Sequence, residues 1–254
     1  MQENHSQKSS IGPGYYSTEV RKTAHEQMNL QFYQNAIKSQ PAPHGFIDDI
    51  QYNWYGKYDL LETHHGYIQW LFPIFESAGM SEESFVLGKL ESRMMKGDVS
   101  VSVRIIKSYI MMLDFYGMML TDYATGNIEI NPNNYKERFR NLNEEPHNYL
   151  RISRILQSLG QLGFARYKQP WMDFVAKQLQ SHKLLSNCEK SFKTFWIPLC
   201  DPSTPGYAEK TKEVPEDGYE SIFFDVINDG DSDEWKNIKM ELDLYPSPLK
   251  ASPV

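Results

Sequence analysis

Two short stretches of this chain set a carboxylate and an imidazole three residues apart: Glu62-x-x-His65 and Glu144-x-x-His147. On a helix, residues i and i+3 share a face, and di-metal carboxylate bundles hold their ions with this spacing. Such a site needs one further carboxylate from each of two other helices. Asp114 is available for one of these, and no residue stands out for the other. The second copy also contains Pro146, which a helix tolerates only in its first turn. A metal-dependent or acid–base enzyme built on His65 and His147 is therefore the third functional reading, behind two non-enzymatic ones.

The same residues belong to longer polar lines. At about 100° per residue, Glu62, His65 and Gln69, with Tyr58 beside them, share one side of a helix over residues 58–72. His64 falls with Leu61, Ile68 and Leu71 on the apolar side. A helix over residues 144–160 sets His147, Arg151, Arg154 and Ser158 on one stripe, apart from Ile152, Ile155, Leu156 and Leu159. Facing each other, the two lines would enclose a carboxylate, two imidazoles and two guanidiniums. They serve equally as salt bridges tying two helices together, or as solvated faces. Asp114 sits between Leu113 and Phe115 in an apolar run. If buried, it needs a partner, for which Arg151, Arg154 and His147 are the candidates; otherwise it faces solvent at a helix edge.

Weaker signals have plainer readings. Met94, Met95, Met111, Met112, Met118 and Met119 read as core filler rather than a binding groove. Asp229, Asp231 and Asp233 imitate the start of a calcium loop, but Glu234 replaces its sixth-position Gly and Met240 its final Glu, which excludes it. Phe224, Val226 and Ile227, followed by Ser232 in an acidic run, form a candidate partner-binding motif tuned by phosphorylation. No GxSxG, Walker loop, GxGxxG or HExxH occurs, and Cys188 and Cys200 form no CxxC pair.

The elements that must position these residues are read as helices. The 254 residues are 40% hydrophobic and 13% aromatic, enough for a sizeable core. Residues 201–254 carry 13 Asp+Glu against 5 Lys+Arg, which outweighs the chain's net charge of −7, so the body is almost neutral. A nucleic-acid-binding surface would need to be basic. The leader, MQENHSQKSS, has no apolar signal core, and YIMMLDFYGMML is too short and too interrupted to span a bilayer. Apolar spacing predicts helices over 20–38, 58–72, 98–120, 144–160 and 171–185, with a start at Ser81 supported by Glu82 and Glu83, a short helix with Pro132 at its first position, and Asn143 as the cap of 144–160. No clean strand alternation appears beyond a weak SIFFDVI at 221–227, and Pro and acidic residues suggest a largely extended tail from Asp201.

Three stretches carry a family likeness: YDLLETHHGYIQWLFP, SYIMMLDFYGMMLTDYATG and RFRNLNEEPHNYLRISRILQSLGQLG. In order and spacing they resemble the conserved region of the opioid growth factor receptors and their receptor-like relatives. Ser153 stands where the family usually has Thr, and Gln161 where it usually has Glu. SAGMSEESFVLGKLESRMMKGD is a loose version of its counterpart, and no match extends beyond about residue 190. The expected fold is all-α: a single compact domain of about six to eight helices over 20–190, with a flexible leader at 1–19 and a divergent acidic tail at 191–254.

The resemblance implies a non-enzymatic receptor-like protein that binds a short enkephalin-type peptide and takes part in growth regulation, located in cytoplasm, perinuclear region and nucleus. Glu62 or Asp114 would take the peptide amine, Arg151 or Arg154 its carboxylate, and Tyr58, Tyr67 or Trp70 its rings. His65, Gln69, His147 and Asn148 would line the same pocket. No cofactor, nucleic acid or transmembrane segment is expected. An intracellular scaffold that binds a protein partner through the acidic tail is the alternative.

Overall fold

The computed structural model describes residues 27–40, 42–76, 84–181, 184–212 and 220–246. The leader at 1–19, the first part of the helix expected over 20–38, and the start expected at Ser81 lie outside the described residues. The central element is α6 (Val99–Phe115), capped by Asp98, whose Oδ1 accepts from the backbone N–H of Ser100 (2.9 Å) and Val101 (3.1 Å). It is buried almost all round, as its apolar composition requires. Around it pack α1 (Met28–Tyr33), α2 (Ile47–Trp54), α3 (Tyr58–Thr63), α4 (Tyr67–Leu71), α5 (Lys89–Lys96), α7 (Tyr135–Glu144), α8 (His147–Gln161) and α9 (Lys168–Ser181). Helical turns over 186–200 follow, then α10 (Tyr207–Thr211), α11 (Ile222–Asn228) and α12 (Asp233–Leu244). Among the described residues, seven helices have eight residues or more, and the shorter ones fill the bends between them. The all-α expectation holds.

Several boundaries differ from the expected ones, each for a physical reason. The run 98–120 does not stay helical. Gly117, at φ +81°, ends it, and a Cβ there would lie 2.9 Å from the Cα of Tyr135. The chain instead enters a small antiparallel hairpin, β1 (Met118–Leu120) with β2 (Ile128–Ile130), pairing Met118 with Ile130. Pro132 does not open a helix; α7 begins three residues later at Tyr135. Asn143 lies inside α7 rather than capping α8, because Pro146 breaks the run and disfavours helix at Glu145, which sits at φ −111°, ψ 85°. The Asn143 side chain donates to the Leu184 carbonyl at 2.6 Å and accepts from the Asn187 N–H at 3.1 Å.

The tail is the largest correction. Asp225 on α11 and Asp233, Glu234 and Asp243 on α12 are exposed, while Phe223, Phe224, Val226, Ile227, Ile238 and Leu242 are buried in the common core. The Phe224 ring lies 5.5 Å from Phe164. Ser221 caps α11 and Ser232 caps α12. The apolar residues of the candidate partner motif are thus core side chains, and the Ser232 hydroxyl accepts from the Trp235 N–H at 3.1 Å. Charge composition hid this because an amphipathic helix carries its acids on one side only. Met95, Met111, Met112 and Met118 fill the core as expected, whereas Met94 and Met119 are exposed. No described helix is long and apolar enough to cross a membrane.

Candidate functional site

The stretch 58–72 is two helices, α3 and α4, separated at His64, His65 and Gly66. Arg151, on α8, accounts for the break. Its guanidinium donates to the carbonyls of Leu61 (2.8 Å), Glu62 (3.0 Å) and His64 (3.4 Å). The Tyr67 hydroxyl donates to the Leu61 carbonyl as well, at 3.0 Å. In an unbroken helix these oxygens would serve N–H groups four residues onward. The polar stripe of α8 continues along the same segment. Arg154 Nε donates to the Phe72 carbonyl (2.8 Å), the Ser158 hydroxyl to that of Pro73 (2.8 Å), and Gln161 Oε1 accepts from the Phe75 N–H (2.7 Å). Burial pushes the Arg154 guanidinium down to about 10, still protonated at neutral pH. The two signature stretches do meet, but α8 mostly grips main chain rather than side chains.

At the open end of this contact, side chains converge. Glu62 Oε2 accepts from Asn141 Nδ2 at 2.6 Å, and Asn148 Nδ2 approaches both Glu62 oxygens at 3.3 Å. His147 Nε2 touches Glu62 Oε1, and its Nδ1 lies 3.5 Å from Glu145 Oε2. His65 Nδ1 lies 3.1 Å from Arg151, and its ring meets that of His147 edge-on at 5.6 Å. His64 packs instead against Trp54 and Tyr67, and burial, then His65 and Arg151, lower its pKa.

Asp114 belongs to a second cluster at the other end of α3. It is buried rather than facing solvent at a helix edge, and its partners are not the cations of α8. Tyr58 Oη donates to its Oδ2 at 2.9 Å, and Asn131 and Asn134 donate through Nδ2 to its Oδ1 at 2.8 and 3.0 Å. Burial raises its carboxyl pKa, while hydrogen bonds from Tyr58, Asn134, Tyr55 and Asn131 pull it back. Burial, partly offset by the Asn134 hydrogen bond, pushes the Tyr58 phenol up to about 12. The expected cations are absent because Arg151 and Arg154 are committed to carbonyls. Asp114 borders a hollow of about 480 Å³ lined also by Tyr55, Tyr123, Tyr245 and Asp243.

The expected pocket residues therefore divide. Glu62, His65, His147, Asn148 and Arg151 form the first cluster; Tyr58 and Asp114 form the second. Tyr67 and Trp70 are fully buried, and Trp70 Nε1 donates to the Gln40 carbonyl at 2.7 Å. Gln69 is half-buried on α4. Sequence reasoning missed Asn131, Asn134, Asn141, Glu145 and Tyr55. The Asn-rich run NPNNY at 131–135 was the available signal for two of them.

Comparison with known proteins agrees with the motif likeness. A family model described as "Opioid growth factor receptor (OGFr) conserved region" matches residues 22–200. The opioid growth factor receptor of Mus musculus is 45% identical over 160 residues, 62% of this chain and 25% of that protein. The receptor of Homo sapiens is 41% identical over 170 residues, covering 66% and 24%. Opioid growth factor receptor-like protein 1 of Mus musculus is 38% identical over 169 residues, covering 66% and 36%. The matched region is thus about a quarter to a third of these relatives' length. No solved structure matches. With the family model spanning most of the chain, the protein belongs to the opioid growth factor receptor family.

Proposed function

We propose that the protein is a non-enzymatic, receptor-like binder of a short peptide with a free N-terminal ammonium, of the enkephalin type, acting inside the cell in growth regulation. The relatives' names supply the receptor class. Asp114 is the observation that carries the binding mode. It is a buried carboxylate whose hydrogen-bond donors in the structure are neutral, beside a hollow rimmed by tyrosines. A buried carboxylate gains most from a cation that reaches it, and an ammonium can do so while its neighbouring ring packs on Tyr55, Tyr123 or Tyr245. Asp243 adds a second acid to the lining, and the volume suits a small ligand or the first residues of a peptide. Arg151 and Arg154 would have to release backbone carbonyls to take the peptide carboxylate, so that end is assigned to solvent.

The test is calorimetric titration with an enkephalin and with its N-acetylated form. The expected result is saturable binding of the free-amine peptide only, weakened about tenfold or more by Asp114→Asn, the loss expected for one charge-assisted contact. Equal binding of the acetylated peptide, or no saturation by either, would overturn the reading.

A further inference from the structure

The cluster at the start of α8 has no role in peptide binding as proposed, and its chemistry is of another kind. One donor atom each from Glu62, Glu145 and His147 lie within 4.8 Å of one another. We propose that these three residues bind a divalent first-row transition metal ion, with Zn2+ the best chemical match. One imidazole nitrogen and two carboxylate oxygens suit a borderline cation.

Three further observations support a built site. The first is the state of His147. Its Nε2 touches Glu62 Oε1 and its Nδ1 lies 3.5 Å from Glu145 Oε2, so a single imidazole stands between the two carboxylates. The second is the support behind Glu62. Asn141 and Asn148 donate to its carboxylate from α7 and α8, and Asn148 Oδ1 in turn accepts from Arg151 at 3.1 Å. Outer hydrogen bonds of this kind orient metal-binding carboxylates. The third is access. The His147 and Glu145 side chains are 36% and 48% exposed, so an ion and its waters can enter.

The geometry needs modest adjustment. Bonds of about 2.1 Å in a tetrahedron place ligand atoms about 3.4 Å apart. Glu62 and His147, now in contact, must therefore part by roughly 1 Å while Glu145 closes toward them, which rotation of the two half-exposed side chains can supply. Three protein ligands leave a position open for water or a ligand oxygen. His65 is not a ligand in this arrangement. Arg151 can only donate, so Nδ1 of His65 is engaged with it as acceptor. A two-metal centre is not formed: Asp114 sits in the other cluster and Glu144 stays outside the donor set. An anion at the same helix terminus would face two carboxylates, which argues for the cation.

The experiment is titration of the chelator-treated full chain with Zn2+ by calorimetry, and with Co2+ by visible absorbance. One saturable equivalent is expected. Glu145→Gln and His147→Gln, both at half-exposed positions, should each weaken it by about tenfold or more while leaving the circular dichroism spectrum unchanged. Glu62→Gln is a poorer probe because Glu62 also ties α3 to α7 and α8. Absence of saturable binding, or binding of undiminished affinity in both variants, would overturn the proposal. Failure of the enkephalin titration would leave it standing, since the two sites share no residue.

Discussion

At the scale of single residues, Asp114 departs most from ordinary behaviour. Burial raises its carboxyl pKa above the unfolded value. For a raised acid, folding is favoured most when the group is protonated. Its contribution is complete below the unfolded pKa of 3.8 and is lost as pH rises through the folded value. Asp114→Asn removes that dependence. The stability advantage of the wild type over Asp114→Asn should therefore be largest near pH 3.5 and shrink as pH is raised, followed by urea melts across the range. A constant or growing difference would mean that the donors of Tyr58, Asn131 and Asn134 outweigh desolvation. The apolar run around Asp114 correctly signalled burial. Its partners were illegible because Asn131 and Asn134 come from an irregular turn, where no periodicity assigns a direction to a side chain.

At the scale of elements, the contact of α8 with residues 61–75 decides the shape of the site. Sequence spacing gave α8 a polar stripe and an apolar stripe, and beyond the half-exposed His147 the structure buries both. Spacing could not reveal that Arg151 would serve three carbonyls, because main-chain acceptors have no sequence signature. That contact divides 58–72 into α3 and α4 and separates Tyr58 and Asp114 from His65 and His147. Arg151→Ala should cost about 3 kcal/mol or more, since buried carbonyls lose a charged donor. Its cost should add to that of Asp114→Asn without coupling in a double-mutant cycle, because the two residues share no partner. Coupling well above about 0.5 kcal/mol would place their charges in one network after all. Gln161 supplies a companion case. Its Oε1 accepts from Phe75 N–H and its Nε2 donates to the Thr211 carbonyl at 2.7 Å. A glutamate at this position could make the first bond and not the second, since a carboxylate only accepts. Gln161→Glu should thus destabilise this chain by about 1–3 kcal/mol, read as a lower midpoint in denaturant.

At the scale of the whole molecule, residues 201–245 decide whether the receptor-like region stands alone. Fold class and most of the helix expected over 144–160 were legible from apolar spacing and motif likeness, whereas the single helix expected over 58–72 is two, α3 and α4. The docking of the tail was not, because net charge and Pro content average over a helix whose two faces differ. Besides its buried aromatics and aliphatics, the tail supplies Glu241, 2.5 Å from the buried Lys107 on α6, and Tyr245, whose hydroxyl donates to the Gln51 carbonyl at 2.9 Å. Lys107 also lies over the rings of Tyr52 and Tyr245. Truncation at residue 200 would therefore expose a core face and leave a buried ammonium without its carboxylate. Phe223, Phe224, Val226, Ile227, Ile238 and Leu242 contribute on the order of 1.5–3 kcal/mol each by burial. Their sum rivals the roughly 5–15 kcal/mol by which whole domains are stable. The truncated chain should lose its cooperative thermal transition, and the full chain should protect amides of α11 and α12 in hydrogen exchange to a degree comparable with α8. A truncated chain that melts cooperatively within a few degrees of the full one would show that the tail packs on a core already complete without it.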